Sequence, residues 1–208
     1  MSGKPRLILA SASPRRSALL RRAGWSFRRL SVEIDERPRP KEGARAYVLR
    51  LAREKAEAAA AKAPTARLAI LAADTTVEYS GKLLGKPASP RQAQAMLRRL
   101  SGRRHRVWTG LALYDPEHER GWQIAIATRV WMRRWTAAEI SAYVAGGEPM
   151  DKAGAYAIQG GAAGFITRLE GDYDNVVGLP LAGVGRLWRA RQSGIGRTIQ
   201  AHRRWISL

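Results

Sequence analysis

Apolar and polar positions change period several times along the 208-residue chain. Leu7 to Ala10 is a short unbroken apolar run, which predicts a buried strand. The apolar residues then recur at helical spacing. Ser13 is placed to cap that helix, Pro14 to occupy its first position and Gly24 to end it. Trp25 to Ile34 reads as extended, with the turn-rich stretch DERPRPKEG after it. Ala46 to Ala63 is a strong helix pattern, and Leu68 to Tyr79 a strand. Ser80-Gly81 predicts a hairpin turn into KLLGKP, and Ser89-Pro90 starts a further helix closed by Gly102. Val107 to Tyr114 and Trp122 to Trp131 read as paired strands, the second alternating at Trp122, Ile124 and Ile126. Thr136 with Glu139 predicts a capping box on a helix through Val144, which Gly146-Gly147 ends. Beyond it lie a glycine-rich region from Gly154 to Gly185 and a basic tail from Ser193 to Leu208 with weak periodicity. Strands interleaved with helices predict an α/β domain around a mixed sheet.

Composition narrows the chemistry. With no cysteine, disulfides, thiol nucleophiles and thiolate zinc sites are excluded. The N-terminus lacks a secretory pattern, and no apolar stretch approaches the roughly 18 residues of a membrane helix; a soluble cytoplasmic protein is expected. The formal charge of +20 attracts phosphate-rich partners. Arginine supplies 30 of the 37 basic residues, mostly singly or in pairs on solvent faces, as in LRRLSGRRHR. No helix-turn-helix, zinc-finger or aromatic-basic RNA motif accompanies the charge, so a dedicated nucleic-acid binder is not the favoured reading. The histidines, His105, His118 and His202, have no metal-ligand spacing. GGAAG lacks the Lys-Ser/Thr of a phosphate loop.

The sharper signals are polar residues in apolar places. At about 100° per residue, Arg16 points the same way as Leu19, Leu20 and Ala23, but from the first turn. With Ser11, Ser13 and Arg15 around a helix N-terminus, this end suits an anion; ordinary surface arginines beside a Ser-Pro cap are the alternative. On the second helix, Lys55 sits within the face made by Val48, Leu51, Ala52 and Ala59, while Arg50, Arg53, Glu54 and Glu57 lie opposite. A lysine there either snorkels to the surface or is held at a site. Asp74 follows the wholly apolar run Leu68 to Ala73 and should sit at the rim of the core. It could serve as a general base on water or hold a divalent metal, or it could cap a turn or pair with Lys86. Thr75 and Thr76 add hydroxyls, and Glu36 by itself reads as an exposed loop carboxylate.

The segments LASASPRRSALL, YVLRLAREKA, AADTTVEYSGKLLGKP, MLRRLSGRRHRVWTGLAL and DKAGAYAIQG…GDYDNVVGLPL occur in this order. Together they resemble the Maf family of nucleoside triphosphate pyrophosphatases, first associated with inhibition of septum formation. The resemblance runs from about Leu7 to about Leu181. It implies an elongated mixed β-sheet flanked by helices, with two lobes around a cleft, in a single domain over residues 1–208. The basic tail, residues 193–208, falls outside it. It also implies hydrolysis of a nucleoside triphosphate to the monophosphate and pyrophosphate with a divalent cation, Mg²⁺ or Mn²⁺.

Carried over by motif, Ser11, Arg15 and Arg16 would bind phosphate. Glu36, Lys55 and Lys86 would line the triphosphate and metal region. Asp74 would be the proton acceptor, with Glu36 and Asp74 as metal contacts. Arg16, Thr75 and Gln159 fall where the family selects its base. Ile-Gln-Gly at residues 158–160 resembles the dTTP/UTP branch, whereas Ser-Glu-Gly marks the 7-methyl-GTP/CTP branch. A glutamine amide donates and accepts, matching a uracil or thymine edge; the other reading of Gln159 is an amide that steadies a glycine turn. Ala157 departs from the glycine common in the family. The expected partner is the nucleotide substrate, with no membrane and no specific nucleic acid; a homodimer is left open. The alternatives are the 7-methyl-GTP/CTP branch and a non-catalytic nucleic-acid-binding or cell-division regulatory protein.

Overall fold

The computed structural model describes residues 7–63, 68–193 and 205–208. The chain alternates strands β1 (Leu7–Ala10), β2 (Phe27–Arg29), β3 (Ala69–Tyr79), β4 (Lys82–Leu84), β5 (Arg104–Asp115) and β6 (Arg120–Met132) with helices α1 (Pro14–Arg22), α2 (Ala44–Lys62), α3 (Pro90–Leu100) and α4 (Ala137–Ala145). Short 3₁₀ turns follow, then β7 (Ile166–Glu170), α5 (Tyr173–Val177), α6 (Leu181–Gln192) and β8 (Trp205–Ser207). Among the described residues the sheet has eight strands, in the order β2-β1-β3-β5-β6-β7 with β4 on β3 and β8 on β6. β1 runs parallel to both its neighbours, while β3, β5, β6 and β7 pair antiparallel. The sheet is therefore mixed and the class α/β.

The local signals act where expected. Ser13 caps α1 by accepting from the Arg16 N–H at 3.4 Å, and Ser89 caps α3 at 3.2 Å. Thr136 and Glu139 form the reciprocal capping box. Ser80 and Gly81 both take positive φ, as a two-residue hairpin with right-handed strand twist requires.

The long strands β3, β5 and β6 run through both ends of the molecule. At one end Leu9, Leu71, Leu111 and Leu113 pack against α1 and α6. On the opposite sheet face Ile8, Ala72, Ala112 and Tyr114 pack against α2. At the other end Val77, Val107 and Val130 pack against α3, α4 and the 3₁₀ segments. A cleft lies between these two bodies. α2 reaches β5 closely because residue 110 is glycine: a Cβ there would lie 2.2 Å from the Val48 carbonyl oxygen.

Three expectations change. Of the extended stretch Trp25 to Ile34, only Phe27–Arg29 joins the sheet, and Ile34 turns onto α2. The glycine-rich region hides β7 and α6. Gly183 sits inside α6 because its missing Cβ would come within 2.6 Å of Ile126, so the glycine marks helix–sheet contact and not a break. The end of the basic tail is a strand: β8 pairs parallel with Gly121–Gln123 of β6. Trp205 covers Gly121, where a Cβ would lie 2.4 Å from its ring, and donates to Glu57 at 2.7 Å. Residues 194–204 of the tail, His202 among them, lie outside the described residues.

Candidate active site

A cavity of about 840 Å³ opens between the two bodies, in the size range of small-molecule sites. The β1–α1 turn, residues 31–38, β3, the segment after β4, residues 151–159 and the α5–α6 turn form its wall. Ser11, Arg15, Arg16, Glu36, Lys55, Asp74, Thr75, Lys86 and Gln159 all line it. Residues separated by up to 148 positions thus meet in one hollow.

At its floor three of them form a junction. Lys55 Nζ lies 2.6 Å from Asp74 Oδ1 and 2.7 Å from Glu36 Oε1. Lys55 does not snorkel to solvent; its side chain is 12% exposed and that of Asp74 9%. The cation paired with Asp74 is Lys55 and not Lys86, because α2 lies directly over β3 whereas Lys86 projects from the exposed segment after β4. Burial pushes the Asp74 carboxyl above its ordinary value, and the charges of Lys55 and Arg16 only partly oppose this. Burial also acts on Glu36, but there the Lys55 hydrogen bond and the charges of Lys55, Lys86 and Arg16 prevail and hold it lower. The two carboxylates therefore differ in proton affinity.

The segment carrying Glu36 is tied down from α2. Tyr47 donates to the Glu36 carbonyl at 2.8 Å. Arg50, expected on a solvent face, is instead buried. It bonds Glu42 at 2.7 Å, Glu54 at 3.1 Å and the Arg37 carbonyl at 3.1 Å. No local pattern marks this clamp, since its partner Glu42 stands in a turn-rich stretch.

Arg16 is largely committed to protein. Its Nε donates to Gly178 O at 2.8 Å, Nη1 to Ala73 O at 2.8 Å and Ser11 Oγ at 3.4 Å, and Nη2 to Thr75 Oγ1 at 3.1 Å. Four of its five N–H groups are thereby used. Ser11 accepts from Arg16 and from the Ser13 N–H, which leaves its own proton available. Arg15 pairs with Asp151 at 3.3 Å at the rim. Asp151 and Lys152 also line the cavity and were not singled out in the sequence, although they open the DKAG block. Gln159 is exposed at the rim. Among the described residues six cationic and four anionic side chains line the cavity, so it carries a positive surplus.

A second cluster lies elsewhere. Asp115, Glu117 and His118 bring ligand atoms within 4.8 Å of one another at the far end of β5. Buried Asp115 is already held by Arg191 at 2.8 Å and His118 at 3.2 Å. The spacing of the histidines alone did not reveal it, because two of its members are carboxylates.

Known proteins resemble the chain over most of its length. The dTTP/UTP pyrophosphatase of Myxococcus xanthus is 49% identical over 193 residues, covering 88% of this chain and 96% of the relative. That of Geobacter sulfurreducens is 50% identical over 181 residues, covering 87% and 94%. A solved structure, the nucleoside-triphosphatase / dITP/XTP pyrophosphatase of Mycobacterium abscessus, overlaps 95% of this chain and 99% of its own at 16% identity, with a TM-score of only 0.38. A family profile described as Maf-like protein matches residues 6–191. With both relatives aligned over most of their length and the profile over nearly all of the chain, the protein belongs to the Maf-like family.

Proposed function

We propose that this protein is a nucleoside triphosphate pyrophosphatase that hydrolyses dTTP and UTP to the monophosphate and pyrophosphate. The observation that carries the reading is Asp74: a buried carboxylate of raised pKa, at the floor of a cationic cavity, in a chain about half identical to enzymes of that name. A raised pKa makes a better proton acceptor near neutral pH. Lys55 holds Asp74 Oδ1 at 2.6 Å, so the proton would go to Oδ2. Asp74 would take the proton as water oxygen bonds the α-phosphorus. The bond from that phosphorus to the bridging oxygen breaks, and pyrophosphate leaves with its electron pair. Arg15, Lys86 and the Ser11 hydroxyl line the cavity as donors for the phosphate chain, and offset charge gathering on the leaving group. Gln159 at the rim can donate its amide N–H to a base carbonyl.

The donor set also suits a divalent metal. Glu36 and Asp74 converge on one point, Lys55 Nζ, and each has a second oxygen beyond it. Carboxylate oxygen with substrate phosphate is the ligand class of Mg²⁺ or Mn²⁺. Such an ion, held by Glu36 and Asp74, would supply positive charge against the triphosphate. Among the described residues no helix is long and apolar enough to cross a membrane.

The test is pyrophosphate release from a panel of nucleoside triphosphates with Mg²⁺ and with Mn²⁺. Preferential turnover of dTTP and UTP is expected. Release from CTP or 7-methyl-GTP in preference, or none from any nucleotide, would overturn the reading.

A further inference from the structure

Behind the cavity wall runs a chain of hydrogen bonds whose direction is fixed. Leu179 N–H bonds Asp174 O, so the Asn175 carbonyl near the end of α5 has no helical donor from that position. The Thr109 hydroxyl supplies one, donating to Asn175 O at 2.9 Å. Thr109 and Asn175 are both 0% exposed and lie outside the cavity lining. A threonine has one hydroxyl proton, and that of Thr109 is now committed. Thr109 Oγ1 also lies 2.9 Å from Thr75 Oγ1, so in that pair Thr75 is the donor. Arg16 Nη2 in turn donates to Thr75 Oγ1 at 3.1 Å. Thr75 therefore reaches the cavity with no proton to give and one lone pair to offer. Beside it Arg16 retains a single uncommitted N–H.

We propose that Thr109, anchored on the Asn175 carbonyl, is a positioning residue that makes Thr75 an obligate hydrogen-bond acceptor, so that the wall selects an imide edge over cytosine. The inference rests on the reading of the cavity as a pyrimidine nucleotide site. A thymine or uracil edge alternates carbonyl, N3–H, carbonyl. Its N3–H meets the Thr75 lone pair and a neighbouring carbonyl meets the Arg16 N–H. Cytosine presents an unprotonated N3, which sets two lone pairs against each other. Sites built to pair one polarity reject the opposite because buried groups are left unpaired.

Calorimetric binding of dTMP and dCMP, the two monophosphates, tests this without turnover. Thr109→Val keeps the shape but removes the acceptor for the Thr75 proton, which then turns to the cavity. The preference for dTMP over dCMP should fall about tenfold, the scale of one mispaired buried hydrogen bond. Thr109→Ser should keep the wild-type preference. In a Thr75→Val background, Thr109→Val should change nothing further. A merely structural Thr109 would weaken both ligands together and leave the ratio intact, and that result overturns the proposal. So does a wild-type protein with no preference between the two. If Thr109→Val does not fold, Thr109→Cys decides: sulfur accepts weakly, so its ratio should drop, and a wild-type ratio overturns the proposal. Pyrophosphate release is scored separately. A shifted binding ratio without any release sinks the hydrolase reading alone, and release with an unshifted ratio sinks this inference alone.

Discussion

His105 gives the fold a calculable sensitivity to acid. It sits on β5 at 2% exposure, its Nε2 2.7 Å from the Tyr156 hydroxyl and its Nδ1 without a partner. Burial lowers its pKa from about 6.5 to about 4. The folded protein thus holds the ring neutral, while the unfolded chain takes up a proton at higher pH. The stabilisation from this group is complete above about 6.5 and is lost as the pH falls through the window down to about 4. A gap of that size amounts to about 3 kcal/mol between pH 7 and pH 4. That is a large share of the roughly 5–15 kcal/mol that holds a typical domain folded. Urea unfolding at pH 7 and pH 4 should be measured for the wild type and for His105→Gln, which removes the titration but keeps a hydrogen-bonding side chain. Other acid-titrating groups cancel in the comparison, so the variant should lose about 3 kcal/mol less than the wild type over the same interval. Equal losses, or a His105 ring that titrates near 6.5 by NMR, would refute the reasoning.

The other predictions concern the site and the close approaches that shape it. Asp74→Asn should abolish pyrophosphate release. Because folding raises the Asp74 pKa, stability from this group is fullest below its ordinary value and lost as pH rises through the raised one; the variant should therefore melt no lower than wild type at pH 8, and a clear drop in melting temperature would contradict this. Gln159→Glu should lower kcat/KM for dTTP and UTP more than for CTP, and an equal loss on all three would remove Gln159 from base selection. Gly110→Ala forces a Cβ to within 2.2 Å of the Val48 carbonyl. Backbone cannot yield as a side chain can, so a loss of about 3 kcal/mol or more is expected by chemical denaturation. Gly121→Ala should unseat Trp205 from the sheet edge, read as a red shift in tryptophan emission, with a smaller stability loss of about 1–2 kcal/mol because only a three-residue edge strand is displaced.

Local chemistry explains which parts of this architecture were legible in the sequence. The caps at Ser13, Ser89 and Thr136 and the turn at Ser80-Gly81 depend on neighbours within a few positions. The long strands announced themselves through apolar runs such as Leu68 to Ala73. Lys55 and Asp74 stood out because a charge in an apolar setting has few stable solutions, and a shared cavity is one. The site residues as a set came from five motifs in order; from the pattern itself, Arg16 and Lys55 stood out by helical spacing and Asp74 by the apolar run before it.

The order of charges and protons within the cavity belongs to the tertiary structure alone. That Lys55 and not Lys86 meets Asp74 follows from the placement of α2 across β3, which no spacing encodes. Arg50 became buried because Glu42 folds back onto it from a loop. Gly183 and Gly110 are where helices touch the sheet, a contact their chain neighbours do not reveal. The direction of the Thr109–Thr75 bond depends on a carbonyl 66 residues away in sequence. Sequence records what each residue prefers among its chain neighbours. Pairing, register and proton direction arise between segments far apart along the chain, and those contacts exist only once it has folded.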